Sequence, residues 1–391
     1  MPVRGFLTAC AVVCLAGVAA APAAAGPQQR ADRKLDTALE RLVRMRGGPP
    51  GVATLVQRGR HARLHRAGVA IVRFGRPRGI RRSDRMRLAS VSKAYSAAIA
   101  LQLVGRGALS LDDTIGERLP DLPRVWAGVT LRQLLQHTSG VPNYTEARAF
   151  GERLQKEPRA FMSVDDVIGF VADEPLNFVP GSRYKYSNTD NIVVGLLVEA
   201  VTGRSYARAL RERIFRPLGL RRTSYPTGFR LRRPFVHGYA VEPPMPPEPP
   251  MRPEDISTQF SASGAGASGA IVSTPAELNR FMRAYARGRF FRRSARREQL
   301  RFRRGSSQPT GPGSNAAGLG IFRYRTRCGT VYGHSGNFPG YTQFAAATED
   351  GKRSATLSAS TALATGTGDA AATRALRRVM GRAVCAALAR R

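Results

Sequence analysis

Residues 86–104 read MRLASVSKAYSAAIALQLV, in which Ser90 precedes Lys93 by three positions at the start of an apolar stretch. Small and apolar side chains then recur at the spacing of one helical face, at Ala94, Ala97, Ala98, Leu101 and Val104. The run Gly105-Arg106-Gly107 supplies a stop signal. The pattern predicts a helix over residues 91–104 that begins beside a serine and a lysine.

Ser90 and Lys93 are a candidate nucleophile and its base. A serine hydroxyl is a poor nucleophile and needs a base within hydrogen-bonding reach. Residues three apart lie side by side on a helix, and both the helix N-terminus and burial lower the pKa of a lysine. The spacing alone is a weak signal, because Ser182 and Lys185 repeat it in an extended, aromatic run that opens no apolar helix.

Two further short motifs follow along the chain. Tyr186-Ser187-Asn188 offers a phenol that can exchange a proton with a leaving group, and an amide that can hold both Lys93 and a substrate amide. His334-Ser335-Gly336 lies in a predicted strand, where a glycine lets a substrate backbone approach closely. Taken singly, each motif is more often structural than catalytic.

Together and in this order, the three motifs resemble the Ser-x-x-Lys, Tyr-x-Asn and His-x-Gly set of the serine β-lactamases and penicillin-binding proteins, class C-like and similar to secreted D-alanyl-D-alanine carboxypeptidases. The resemblance covers nearly all of the chain after residue 25 and includes residues 134–142, 180–195, 214–220 and 318–320. It implies an α+β fold of the β-lactamase/DD-peptidase type. Both chain ends would form one antiparallel sheet flanked by helices, with the active site between the sheet and a mainly helical lobe.

The resemblance also implies a role for each motif residue. Ser90 would attack the substrate carbonyl and form an acyl-enzyme, with Lys93 accepting its proton. Tyr186 would relay a proton to the leaving amine and later activate water. Asn188 would orient Lys93 and the substrate amide, and His334 would supply a polar or positive edge near the substrate carboxylate.

Further substrate contacts are expected on the strand that carries the His-x-Gly motif. The backbone N–H groups of Ser90 and Asn337 would form the oxyanion hole, beside Ser335 and Gly336. The secreted carboxypeptidases place a carboxylate-binding arginine soon after a Gly-Leu-Gly strand, but here Phe322 occupies that place. Either the neighbouring Arg323 substitutes for it, or the carboxylate pocket is weakened and the substrate differs.

The rest of the chain predicts one domain over residues 26–391. A sheet lobe would come from residues of about 30–85 and 315–391, with the helical lobe in between. The pattern predicts a first helix over residues 34–45, strands within 51–74, 318–332 and 341–360, and a closing helix from Ala370. Two exposed loops are expected, at the Pro-rich residues 243–250 and at the basic residues 289–313.

Residues 1–25 are typical of an export signal: Arg4, an apolar run over 6–21, and small residues before cleavage near Ala25. The run is interrupted and shorter than the roughly 20 apolar residues of a membrane span. After cleavage two cysteines remain, Cys328 and Cys385, and in a secreted, extracellular protein they predict one disulfide. Two unpaired buried thiols are the alternative.

The formal net charge of +35 comes almost wholly from arginine. The arginines are spread along the chain without a zinc-finger, RNP-like or helix-turn-helix signature, so we expect attraction to an anionic cell wall and no nucleic acid partner. No His-Glu-x-x-His motif occurs, and His61 and His65 are four apart in a strand-like region, so we expect no metal and no cofactor.

Three functions follow from these expectations, each for a monomeric protein with no membrane span after signal removal. The first is a serine-type D-alanyl-D-alanine carboxypeptidase that acts on peptidoglycan stem peptides and is acylated by penicillins. The second is a class C-like β-lactamase or an esterase of the same fold. The third is a non-catalytic, wall-binding or polyanion-binding relic of the fold.

Overall fold

The computed structural model describes residues 26–72, 78–240, 253–306, 311–363 and 370–390. The predicted export segment and the Pro-rich loop lie outside these ranges. The strands are β1 (Gly51–Arg58), β2 (His61–Gly68), β3 (Met86–Arg87), β4 (Tyr239–Ala240), β5 (Glu254–Asp255), β6 (Val272–Ser273), β7 (Ser314–Ala317), β8 (Phe322–Thr326), β9 (Gly329–Phe338), β10 (Tyr341–Ala347) and β11 (Arg353–Ala359).

The helices alternate with short turns through the middle of the chain. They are α1 (Pro27–Arg44), α2 (Ser92–Gly105), α3 (Ile115–Arg118), α4 (Leu131–Gln136), α5 (Arg148–Lys156), α6 (Val164–Gly169), α7 (Asn188–Thr202), α8 (Tyr206–Leu210), α9 (Arg216–Leu218), α10 (Gly266–Gly269), α11 (Pro275–Ala286), α12 (Arg293–Gln299) and α13 (Ala370–Leu388). Among the described residues, none of these helices combines the length and apolar character needed to cross a bilayer.

Both ends of the chain share one antiparallel sheet, which confirms the predicted fold class. Its seven strands run in the order β2-β1-β11-β10-β9-β8-β7. The first strand of the chain pairs with the last, with Val52 opposite Ala359 and Arg58 opposite Arg353. The two short pairs, β3 with β6 and β4 with β5, lie outside this sheet.

One face of the sheet is covered by the terminal helices α1 and α13. Leu35 and Leu39 from α1 and Val379 from α13 are buried in one core with Phe344 of the sheet. Their spacing along each helix explains the packing, because residues three or four apart share a face. A disulfide joins the β8–β9 turn at Cys328 to α13 at Cys385, as the sequence predicts.

The other face packs on the helical lobe, with α2 at its centre. The predicted helix over 91–104 is present, one residue later at its start and preceded by a 3₁₀ turn, Ala89–Val91. The buried residues of α2 include Ser92, Lys93 and Ser96 as well as its apolar side chains. A helix buried on nearly every side belongs in a core. Tyr95 stacks on Phe281 of α11 with ring centroids 3.5 Å apart.

The expectation of a loop over residues 289–313 is wrong in part, because α12 occupies residues 293–299. Ala295 and Gln299 are buried, whereas Arg293 and Arg297 are exposed. The apolar face of this helix is therefore very narrow. Because this segment is rich in arginine, the sequence shows no apolar spacing that would predict the helix.

Candidate active site

Ser90 lies in the 3₁₀ turn between β3 and α2. The turn is anchored by Leu88, whose N–H donates to the Ile271 carbonyl at 2.7 Å and whose carbonyl accepts from Val91 N–H at 3.2 Å. Ala89 has φ +52°, a left-handed conformation that costs an alanine roughly 1–2 kcal/mol. Such a conformation persists where the surroundings impose it, so the backbone next to Ser90 is fixed by its neighbours.

Lys93 is fully buried beside this serine. Its Nζ donates to Asn188 Oδ1 at 2.7 Å and to the Ser268 carbonyl at 2.9 Å, and it lies 3.2 Å from Ser90 Oγ. Burial holds the Lys93 pKa well below its usual value of 10.5, and the Asp190 carboxyl opposes this only in part. A neutral amine at this distance is able to accept the Ser90 proton.

Asn188 is the first residue of α7, and its amide orientation is fixed by a second layer of contacts. Its Nδ2 donates to Asn143 Oδ1 at 3.2 Å and to Thr145 Oγ1 at 3.0 Å. Its backbone N–H donates to the same Asn143 oxygen at 3.0 Å. With Nδ2 engaged in this way, Oδ1 is left to accept from Lys93.

Tyr186 lies two residues before α7 and faces the same pair. Lys93 Nζ is 5.0 Å from the centroid of the Tyr186 ring. The Tyr186 hydroxyl faces that of Ser90 without a fully formed hydrogen bond, and burial raises the Tyr186 pKa far above its usual value. The side chain is therefore a neutral phenol, which favours Lys93 as the first proton acceptor and Tyr186 as a relay.

Strand β9 closes on the serine through Gly336. A Cβ atom at this position would lie 2.7 Å from the Ser90 nitrogen and 2.9 Å from the Leu88 oxygen, closer than real contacts allow. Only glycine lets the strand and the 3₁₀ turn meet without displacement. Asn337, the next residue of β9, lines the same cavity as Ser90, and the resemblance implies its N–H as an oxyanion donor.

His334 is buried on the same strand, with its ring centroid 6.5 Å from that of Tyr186. Burial lowers the His334 pKa to about 3, and nearby Lys93 adds to the effect, so the imidazole is neutral near pH 7. Nδ1 lies within hydrogen-bonding distance of the Ser335 carbonyl and must donate to it. The remaining nitrogen, Nε2, is buried without a hydrogen-bond partner among the described residues and can only accept.

The side chains of three other predicted residues make contacts elsewhere than at Ser90. Ser335 is paired with Phe344, which alternation places on the face covered by the terminal helices. The side chain of Asn337 accepts from Thr342 at 2.8 Å. The guanidinium of Arg323 lies 4.6 Å from the ring centroid of Phe302 and does not line the cavity at Ser90.

Phe322 is buried and packs edge-on against His334, with centroids 5.0 Å apart. The residue at the sequence position where the resemblance implies a carboxylate-binding arginine is therefore a side chain of the core between the sheet and the terminal helices. Ser182 and Lys185 are not brought together: Ser182 donates to the Val179 carbonyl, and Lys185 pairs with Glu146.

A buried acid–base pair under Tyr186 could not be recognised from the motifs. His137 Nδ1 lies 2.8 Å from Asp190 Oδ2, and the His137 ring centroid is 4.4 Å from that of Tyr186. Burial raises the Asp190 pKa well above its usual value and lowers that of His137 to about 3. The position of Asp190 in the first turn of α7 was the only sequence signal of this pair.

The Ser268 carbonyl, which accepts a hydrogen bond from Lys93, also lies outside the three sequence motifs. The sequence suggests tight packing for residues 264–269, and a Cβ at Gly195 of α7 would lie 2.8 Å from Ala267. Tyr144 supports the same segment by donating to the Gly264 carbonyl at 2.7 Å. This packing brings the carbonyl within reach of a lysine 175 positions earlier.

Beside Ser90 a cavity of about 370 Å³ extends toward the Phe338 end of β9. Its wall is mainly apolar, and the described residues that form it include no lysine, arginine or histidine. The large apolar residues are Tyr144, Phe150, Leu154, Met162, Phe260 and Phe338. Within the described ranges, no three His, Cys, Asp or Glu side chains converge as a metal ligand set would.

Comparison with known proteins places this arrangement in a family. The family model described as Beta-lactamase matches residues 31–379. Penicillin-binding protein 4* of Bacillus subtilis (strain 168) is 27% identical over 290 residues, which cover 71% of this chain and 60% of that protein. Esterase EstB of Burkholderia gladioli is 34% identical over 200 residues, which cover 48% of this chain and 50% of that protein. The chain thus spans only 60% and 50% of these two relatives.

A solved structure gives broader coverage. A D-stereospecific amidohydrolase from Streptomyces sp. has 30% sequence identity and a TM-score of 0.75, over 88% of this chain and 97% of that one. A D-amino acid amidase from Ochrobactrum anthropi SV3 has 26% identity and a TM-score of 0.71, over 88% and 98%. With a family model that matches most of its length, the chain belongs to the beta-lactamase family and shares its fold.

Proposed function

We propose that the chain hydrolyses amides or esters of D-amino acids with an apolar acyl side chain, through an acyl-enzyme on Ser90. The contacts of buried Lys93 with Ser90, Asn188 and the Ser268 carbonyl are the observation that carries the chemistry. These contacts support Ser90 as the nucleophile, because the amine beside it has a lowered pKa.

The reaction proceeds in two halves. Ser90 Oγ bonds to the substrate carbonyl carbon and its proton passes to Lys93 Nζ, while the N–H groups of Ser90 and Asn337 hold the oxyanion. That proton then reaches the leaving nitrogen or oxygen through Tyr186, the carbonyl–leaving-group bond breaks, and the acyl-enzyme remains. Water attacks the ester carbonyl while Tyr186 and Lys93 take up its proton. The bond between the acyl carbon and Ser90 Oγ then breaks, and the proton passes to Oγ, which frees the acid and regenerates the Ser90 hydroxyl.

Two features support a substrate without a terminal carboxylate. Among the described residues no cationic side chain lines the cavity. The nearest candidate by sequence, Arg323, has its guanidinium against the ring of Phe302 instead. The apolar wall of Phe150, Met162 and Phe260 suits the acyl side chain.

The D-alanyl-D-alanine carboxypeptidase implied by the sequence resemblance is the second candidate. It is supported by the similarity to a penicillin-binding protein, and it would require Arg323 to leave Phe302 and reach the substrate. A class C-like β-lactamase or an esterase shares the same first half-reaction and differs in how fast the acyl-enzyme is hydrolysed.

Intact-mass spectrometry and kinetics on the exported chain test these proposals together. We expect a penicillin adduct that is absent in Ser90→Ala and present in Ser182→Ala, the matched control with the same spacing to a lysine. We expect kcat/KM for D-phenylalanine amide to exceed that for its L-enantiomer and for a D-alanyl-D-alanine peptide by at least about tenfold, or 1.4 kcal/mol. Preference for the peptide would favour the second candidate, and no adduct and no turnover would refute the enzyme altogether.

A further inference from the structure

A basic groove runs along the terminal helices, on the face of the sheet opposite to Ser90. Two adjoining cavities of about 520 and 300 Å³ lie between α1 and α13, and Lys34 and Arg382 line both of them. The second cavity ends at the disulfide of Cys328 and Cys385. We call these two cavities the terminal-helix groove.

We infer that the terminal-helix groove binds a linear polymer that carries repeated phosphate groups. Cationic side chains line both of its walls, and they are Arg30, Arg33, Lys34 and Arg41 on α1, Arg327 on the β8–β9 turn, and Arg378 and Arg382 on α13. No aspartate or glutamate in the described part of the chain lines either cavity. The inference is independent of the chemistry proposed at Ser90.

Two carboxylates of α1 form ion pairs on the side of the strands and not in the groove. Asp32 of α1 pairs with Arg58 and Asp36 with His65, both toward the strands. Helix α13 contains no acidic residue. Among the described residues, no carboxylate lies within ion-pair distance of the groove cations Arg33, Lys34, Arg41, Arg378 and Arg382, so their charge is available to a ligand.

The shape of the groove fits an extended chain better than a flat surface. Its floor contains Leu42 and Val379, both buried, while the cations stand on opposite walls. Arg33 and Arg41 are eight residues apart on one helix, or about 12 Å. A polymer with a charge every 3.4 Å or so would place about three phosphates along that length. The arginine fork also matches the oxygens of a phosphate group.

The test uses the folded exported chain and long-chain inorganic polyphosphate as probe, with affinity measured across a salt series. The groove variant is Arg33→Gln/Arg378→Gln/Arg382→Gln. The control, Arg106→Gln/Arg124→Gln/Arg232→Gln, removes the same charge from exposed positions of the helical lobe. Circular dichroism, melting temperature and Ser90 acylation confirm that both variants are folded.

We expect at least tenfold weaker binding for the groove variant at 150 mM salt, against less than threefold for the control. The slope of log affinity against log salt should fall by about two to three, since each lost phosphate contact removes about 0.7–0.9. Equal losses in the two variants would overturn the inference in favour of diffuse attraction by net charge. Binding to anionic lipid vesicles but not to polyphosphate would overturn it as well.

Discussion

Gly336 offers the sharpest test of how the site is assembled. In Gly336→Ala, the new methyl carbon would lie 2.7 Å from the Ser90 nitrogen, whereas ordinary contacts begin at 3.4 Å. Strand β9 or the turn at Ala89–Val91 must therefore move by at least about 0.7 Å, and backbone atoms on both sides leave no flexible side chain to yield. Inserting one carbon into such a packed region typically costs about 1–3 kcal/mol of stability.

The functional loss should be larger than the loss of stability. Loss of one oxyanion donor typically lowers kcat by about 100- to 1000-fold, and this displacement separates the two donors from each other. We expect acylation of Gly336→Ala by a chromogenic β-lactam or ester, followed by stopped flow, to slow about 100-fold.

Gly381→Ala is the control, because a Cβ there meets nothing within 4 Å and alanine favours the interior of α13. It should leave acylation unchanged and raise the melting temperature slightly. Acylation of Gly336→Ala within threefold of the parent, with unchanged stability, would refute the close approach of strand and serine.

Three further predictions concern charge and covalent structure. Lys93→Met should slow acylation by about 100- to 10,000-fold, the usual contribution of a general base. Because the folded Lys93 pKa is lowered, the unfolded chain binds more protons and the parent gains stability as pH rises toward 10.5; urea unfolding should show a smaller gain in the variant. His334 has a folded pKa of about 3, so stability is lost as pH falls below 6.5, by about 2 kcal/mol at pH 5. In denaturant titrations, the free energy of unfolding of His334→Gln should fall less between pH 7 and pH 5 than that of the parent. A fall as large as that of the control His61→Gln, which removes an exposed histidine, would contradict the lowered pKa of His334. Replacing both Cys328 and Cys385 by serine should cost about 4 kcal/mol in unfolding free energy for a separation of 57 residues, and a change below 1 kcal/mol would exclude that contribution.

Local patterns were sufficient for much of the fold. The helix at Ser90 and the disulfide follow from apolar spacing and from the number of cysteines. Arg323 shows the limit of such reasoning, because adjacent strand residues point to opposite faces and the sequence does not say which neighbour of Phe322 faces the substrate. The roles of the motif residues stay predictions until the variants are measured.

Some contacts in the site join residues that are far apart in the sequence, so no local pattern predicts them. The Ser268 carbonyl meets Lys93 because α10 packs on α7, and the Asn143 side chain meets Asn188 across 45 positions. Neither group has a residue type or spacing that marks it. Both depend on where the helical lobe places two backbone segments, which requires the assembled core.

The shared sheet has a consequence for when activity arises. A nascent chain that ends before residue 329 already contains Ser90, Lys93 and Tyr186, but it lacks β9, which closes on the serine, and β11, one of the two partners of β1. Such contacts between chain ends form late and slowly in folding. A ribosome-bound or half-translocated chain would therefore carry an unfinished site, and hydrolysis would begin only once synthesis is complete.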